Sequence, residues 1–355
     1  MNCCVECFAD AQIREIIASS RERGNCDFCG RTNVKLHPIV KNGDVETLLE
    51  SVLDIYSVSP SAIEGQSLRT ALRNDWDIFA VPSDVVQKLI IAMCPDQLAK
   101  NEKLFSSPIY IPEFRDQDYL SETGITTGHS WNEFSETIKF ENRFHSHIFN
   151  QDAFVSFLTF AKKVYPAGSK MFRARICKDK NGFPTNEMGT PPRGLRASGR
   201  INPEGVSVLY LSTRDETALY EVRAGLYDFV TVGDFVLQKD IQVVNLAGIG
   251  SISPFIYAPE AEADDLRAYA INRPCLREIA AEIAKPLRRN DSPLEYLPTQ
   301  YISEFIKSQK YEGVEYASTM STDGYNIAVF DESLFECVGT HVYEIANLSY
   351  NRKPL

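Results

Sequence analysis

The spacing of apolar side chains changes along the chain. In DVETLLESVLDIY, Val45, Leu48, Leu49, Val52, Leu53 and Tyr56 recur on one face of a 3.6-residue repeat, which predicts a helix. PSDVVQKLIIAM predicts a second, capped by Ser83, with Val85, Val86, Leu89, Ile90 and Met93 apolar, and Trp131, Phe134 and Ile138 continue the period in a third. QDAFVSFLTFAKKVYPAG predicts a helix ended by Pro166 and Gly168. Beyond it KMFRARIC and VSVLYLST alternate as strands. DETALYEVRAG then predicts a helix, with Ser212, Thr213 or Asp215 to cap it and Gly225 to end it. DFVTVGDFVLQKDIQVVNLA predicts two strands, LRAYAINRPCLREIAAEIA and PTQYISEFIKSQ two helices, and YEGVEYAST, YNIAVF and FECVGTHVYEIANL the closing strands. Mixed strands and helices from about 151 onward suggest an α+β domain.

Length and composition bound the rest. At 355 residues, two or three units are expected, here a zinc-ribbon-like segment at 1–40, a helical module at 41–150 and the α+β domain at 151–355. No apolar run approaches the ~18 residues of a membrane span. The first residues, MNCCVECFAD, carry neither the basic stretch nor the apolar core of a secretory signal, so a cytoplasmic protein is expected. A formal net charge of -11 argues against broad nucleic-acid binding, so an anionic ligand would need a dedicated pocket.

Five of the nine cysteines crowd the first thirty residues. Cys4 and Cys7 form one CxxC and Cys26 and Cys29 another, at the spacing of a tetrathiolate zinc site, with Gly30 placed for a knuckle turn. Cys3 is an alternative first ligand and His37 a weaker candidate. A closed four-thiolate site would be structural, a folding staple for a segment too small to bury its own core. Cys94, Cys177, Cys275 and Cys337 read as inert core thiols.

No GxGxxG follows a strand and no GxxxxGK[ST] occurs, which removes Rossmann and P-loop frames; AGIGS lacks the third glycine. His145 and His147, in RFHSH, read as a polar helix face rather than a ligand pair. What remains is a set of polar residues at strand edges. Arg173 interrupts an alternating strand, and Arg200 sits in a loop bent by Gly199, Pro203 and Gly205. Two arginines at a cleft can grip a pyrophosphate through forked, charge-assisted hydrogen bonds, although each alone is also what a surface ion pair looks like. Tyr210, near a strand end, could stack on a ring or fill the core. Glu221 borders the stripe of Ala218 and Val222; it is either a solvated helix carboxylate or a group that stabilises an oxocarbenium-like centre as a glycosidic bond breaks.

MFRAR, SGRINPEGVSVLYLSTRDETALYE and QYISEFIKSQKYEGVEYASTMSTDGYNIAVF together resemble the RES domain, named for its Arg, Glu and Ser, over about 165–335. The resemblance implies an ADP-ribosyltransferase-like fold and an enzyme that consumes NAD by phosphorolysis or hydrolysis of the nicotinamide–ribose bond, as a bacterial toxin or defence effector. It implies Arg173 and Arg200 as the family arginines, Tyr210 as its tyrosine, Glu221 as its glutamate and Ser318 as its serine, with NAD, and phosphate where phosphorolysis is the reaction, as small-molecule partners. Phe172 and Ile201 stand where the family commonly has Tyr and Trp, which would alter how a ring is stacked. An antitoxin or other regulatory partner and a homo-oligomer are compatible with the family. The helical segment is more distantly similar to HEPN modules, but Arg143 to His147 has only three residues between, short of their ribonuclease motif. ADP-ribose transfer to a macromolecule, or an idle regulatory domain, are the competing readings.

Overall fold

The structure is a computed structural model that describes residues 1–61, 65–257, 263–285, 292–320 and 324–348. By packing, the chain falls into two compact units, 1–128 with 251–275 and 129–250 with 276–355. The third sequence segment's last residues, 349–355, lie outside the described ones.

In the first unit, β1 (Asn2–Cys4), β2 (Arg23–Gly24) and β3 (Val34–Pro38) form a small antiparallel sheet in the order β1-β3-β2. The expected helices are present at Asp44–Leu53 and Ser83–Met93. In the second, Ser83 is the first helical residue and not the cap; Pro82 takes the N-cap position, with no side-chain capping bond. A two-stranded ribbon pairs β4 (Ser57–Val58) with β5 (Ile109–Tyr110). The core centres on Trp76, whose Nε1 donates to Tyr56 Oη at 2.8 Å, which in turn donates to Asp75 Oδ2 at 2.8 Å. Residues 251–275 belong here for identifiable reasons. Arg273 Nη2 donates to the Trp76 carbonyl at 3.0 Å, and Asn272 closes the chain near 125 by accepting from the Ile125 amide at 2.6 Å and donating to the Thr123 carbonyl at 2.8 Å.

The second unit is built on an eight-stranded mixed sheet of β6 (Lys162–Tyr165), β7 (Lys170–Cys177), β8 (Leu209–Ser212), β9 (Phe229–Leu237), β10 (Ile241–Asn245), β11 (Gly313–Ala317), β12 (Tyr325–Val329) and β13 (Phe335–Glu344). Their order is β13-β9-β7-β8-β12-β11-β10-β6, antiparallel except for β10 with β11. The mixed α+β class expected from the alternating patterns is the observed one.

Several expectations shift locally. The helix expected to run to Pro166 ends at Phe160, and KKVY forms the edge strand β6. Lys163 Nζ reaches both carboxylate oxygens of the buried Glu315 at 2.9 and 2.8 Å, and the Tyr165 hydroxyl donates to the same carboxylate. A period of two was therefore hidden in KKVY, and satisfying a buried carboxylate outweighs continuing the helix. Phe134 and Phe149 pack edge-on against Tyr301 with centroids 5.6 and 5.3 Å apart, which is why 129–150 sits with this unit. RFHSH is not helical. The helix Trp131–Glu136 runs into a single π turn, Thr137–Glu141, and Asn142 closes a loop by accepting from the His145 amide at 3.0 Å. Among the described residues no helix is long and apolar enough to cross a membrane.

Candidate functional site

The register of the central strands builds one lateral rank of side chains. Phe172 on β7 faces Ser212 on β8, Ser212 faces Asn326 on β12, and Asn326 faces Tyr316 on β11. Residues in register across a sheet share a face, and all four line one cavity of about 260 Å³ together with Arg173, Tyr210 and Glu221. The Phe172–Ser212 pair is the only one between β7 and β8, whereas β7 pairs with β9 over eight residues. The cavity sits where that ladder stops.

Glu221 is the last residue of the helix Asp215–Glu221. That helix starts after Arg214 with no side-chain cap, so neither Ser212, Thr213 nor Asp215 serves as one: Ser212 is committed to the sheet and Thr213 donates to the Tyr325 carbonyl. It also ends before Gly225, because Arg223 adopts φ +50°. The glutamate is exposed. Its Oε1 accepts from Ser318 Oγ and from Asn326 Nδ2, both at 2.7 Å, and Asn326 Oδ1 accepts from Ser212 Oγ at 2.7 Å. Gly324 lets β12 begin this close to the helix, since a Cβ there would stand 1.9 Å from Thr217 Oγ1.

Arg173 extends from β7 into the same cavity. Its Nη1 is fully buried and has no hydrogen-bond partner among the described residues, a deficit of roughly 1–3 kcal/mol that an anion would relieve. Burial, and then the neighbouring charge of Arg175, push the guanidinium down to about 10, which leaves it charged at neutral pH.

Arg200 lines a second cavity, of about 310 Å³, whose walls include Tyr210, Glu221, Tyr316 and Asn326 from the first. One of its nitrogens is already used: Nη1 donates to the Glu282 carbonyl at 2.7 Å, and the guanidinium lies 5.4 Å from the Tyr296 ring centre. Its loop is clamped by the helix Leu297–Ser308. Thr299 Oγ1 donates to the Arg200 carbonyl at 2.9 Å, Ser303 Oγ to the Ile201 carbonyl at 2.7 Å, and Gln300 Nε2 to the carbonyls of Gly199 and Asn202 at 2.7 and 3.0 Å. Ile201 is buried, a packing residue and not a ring platform. Tyr210 is half-buried, and its hydroxyl donates to Asn202 Oδ1 at 2.6 Å. Burial pushes that phenol well up, so it stays a neutral donor. Gly199 allows the contact, because a Cβ there would meet Asn202 Oδ1 at 2.8 Å and Tyr210 Oη at 2.9 Å.

The structure thus gathers Arg173, Arg200, Tyr210, Glu221 and Ser318 around two adjoining cavities. Sequence reasoning missed Asn326, Ser212, Tyr316 and Asn202. YNIAVF and VSVLYLST read as strands, which places Asn326 and Ser212 on them, but their pairing depends on a register that no local pattern reveals.

In the first unit Cys4, Cys7, Cys26 and Cys29 bring their sulfurs within 4.8 Å of one another. Contacts of 3.8 Å (Cys4–Cys7), 3.5 Å (Cys4–Cys29) and 3.6 Å (Cys7–Cys26) fit a tetrahedron of sulfurs about 2.3 Å from a central metal, whose edges would be about 3.8 Å. Gly30 takes φ +71°, the turn expected after the second CxxC. Cys3 stands outside the cluster, its thiol turned to the His37 carbonyl at 3.8 Å, and His37 Nε2 pairs with the buried Glu46 at 3.0 Å.

No curated protein matches the chain. Among solved structures, it is similar to a chain of the M. tuberculosis MbcT–MbcA toxin–antitoxin complex, at 14% identity and a TM-score of 0.31, over 54% of this chain and 92% of that one. The family model described as "RES domain" matches residues 171–350, more than half of the 355 residues and all five of the gathered polar side chains, so the chain belongs to the RES domain family.

Proposed function

We propose that this chain consumes NAD by breaking the nicotinamide–ribose bond and acts as a toxin or defence effector. The observation that carries the reading is the pairing, in one cavity, of a buried guanidinium nitrogen without a partner and a carboxylate fixed through only one of its oxygens. A dinucleotide supplies both complements: phosphate oxygens for Arg173 and Arg200, and a ribose that becomes positively charged as nicotinamide leaves. A carboxylate already oriented towards that charge stabilises the transition state more than the ground state. Tyr210, kept neutral, offers a ring face along the wall shared by both cavities. Ser318 orients the carboxylate through its hydroxyl.

The cysteine cluster fits zinc as a structural ion, and its four thiolates would hold the strand β1 and the turn after β2 together. An antitoxin partner and a cytoplasmic setting accompany the reading on family resemblance.

The test is nicotinamide release from NAD by the purified full-length chain, with and without inorganic phosphate. Release that depends on phosphate and yields ADP-ribose phosphate defines phosphorolysis; phosphate-independent ADP-ribose defines hydrolysis. With adenine-labelled NAD, label retained on protein or nucleic acid would replace consumption by ADP-ribose transfer, and no turnover under any of these conditions would overturn the reading.

A further inference from the structure

Both donors that hold Glu221 reach the same oxygen. Ser318 and Asn326 each lie 2.7 Å from Oε1, and no hydrogen bond reaches Oε2 among the described residues. An ionised carboxylate only accepts, so the Asn326 side chain must present its amide nitrogen; turned over, it would set Oδ1 against Oε1. The carboxylate thereby leaves Oδ1 at the far end of the amide, where the Ser212 hydroxyl, able to donate or accept, donates to it at 2.7 Å. Ser212 and Asn326 are direct cross-strand partners and both are buried, 3% and 5% exposed, so the two side chains are fixed by the β8–β12 register and cannot relax independently. The series Ser212–Asn326–Glu221 is therefore pinned at its sheet end and leaves Oε2 as the oxygen available to a ligand.

We propose that Asn326 is a positioning residue for the Glu221 carboxylate, with Ser212 anchoring the far end of its amide. The proposal rests on the reading of Glu221 as the group that meets the ribose. Without Asn326 the carboxylate keeps one donor and can rotate about its last bond, so the orientation present before reaction is lost while the groups that grip phosphate are untouched. The effect belongs in kcat and not in KM.

A double-mutant cycle on nicotinamide release tests this. Asn326→Leu, close in shape but without donors, is expected to lower kcat about tenfold to thirtyfold with KM within about twofold, and Ser212→Ala to lower kcat about threefold. In a Glu221→Gln background, which removes the charge being positioned, Asn326→Leu should cost less than about threefold. The same loss in both backgrounds, or a rise in KM with kcat unchanged, overturns the proposal. Asn326→Asp, which keeps the size and the Ser212 bond but turns a donor into an acceptor facing Glu221, guards against a folding defect in the leucine variant and should lose at least as much kcat. A crystal structure of the Asn326→Leu protein needs no turnover and so separates this proposal from the functional reading. Glu221 is expected in more than one rotamer or away from Ser318, and a single unchanged rotamer overturns the positioning role even if the parent chain consumes NAD.

Discussion

The cysteine cluster and the Arg173–Glu221 cavity both concentrate reactive groups, yet they solve opposite problems. In the cluster three thiols are buried and the fourth half-buried, and each sulfur's close neighbours are other members of the set. Burial first, then neighbouring thiols, pushes the Cys4 thiol up to about 12, an environment that suits a metal able to take the charge of the thiolates. Nothing in it faces a substrate. In the cavity Arg173 Nη1 is buried without a hydrogen-bond partner among the described residues, and the exposed Glu221 is held through Oε1 alone. A site whose donors and acceptors satisfy one another stabilises the fold; a site that leaves a cation and a carboxylate oxygen unsatisfied has kept that capacity for a ligand.

Disrupting the cysteine cluster should produce the larger effect. The freshly purified protein is expected to hold about one equivalent of zinc, and Cys26→Ser or a strong chelator should unfold the first unit's small sheet, because binding energy in such sites, on the order of 10 kcal/mol, is also folding energy. Elemental analysis and thermal melting check this, and less than about half an equivalent would erase the contrast between the two sites. Glu221→Gln keeps size and hydrogen bonding but removes charge. Nicotinamide release should fall on the order of a hundredfold or more, with NAD affinity changed far less, and a rate within a few-fold of the parent would remove Glu221 from the mechanism.

Arg173→Lys keeps the charge but loses the planar fork, so NAD binding by calorimetry should weaken by about tenfold. Arg200→Lys should weaken it less, because one of that guanidinium's nitrogens is already spent on the Glu282 carbonyl. Equal losses would mean that the orphaned nitrogen of Arg173 has no special role. Ser318→Ala removes one of two donors to Oε1 and should cost turnover roughly tenfold or less.

The sequence by itself determined most of the elements and the residue types gathered at the candidate sites. Alternation in KMFRARIC, the short apolar run of YNIAVF and helical spacing in PTQYISEFIKSQ correspond to β7, β12 and the helix Leu297–Ser308, because such local patterns follow from backbone geometry and need no distant partner. The two CxxC pairs announced their cluster because ligand spacing is itself local, and the residues carrying the family resemblance are the ones that gather around the two cavities. What sequence lacked was register and partnership. KKVY becomes a strand because Glu315, some 150 positions away, is buried and needs Lys163 and Tyr165. His37 serves Glu46 and not a metal for the same kind of reason. Arg173 and Arg200 look alike in sequence, yet only the fold gives one of them a backbone carbonyl and leaves a buried nitrogen of the other without a partner. Asn326 and Ser212 carry no signal of their own. Their hydrogen bond exists because β8 and β12 pair in one register and not the next, and a slip of one residue would turn one of the two side chains to the opposite face.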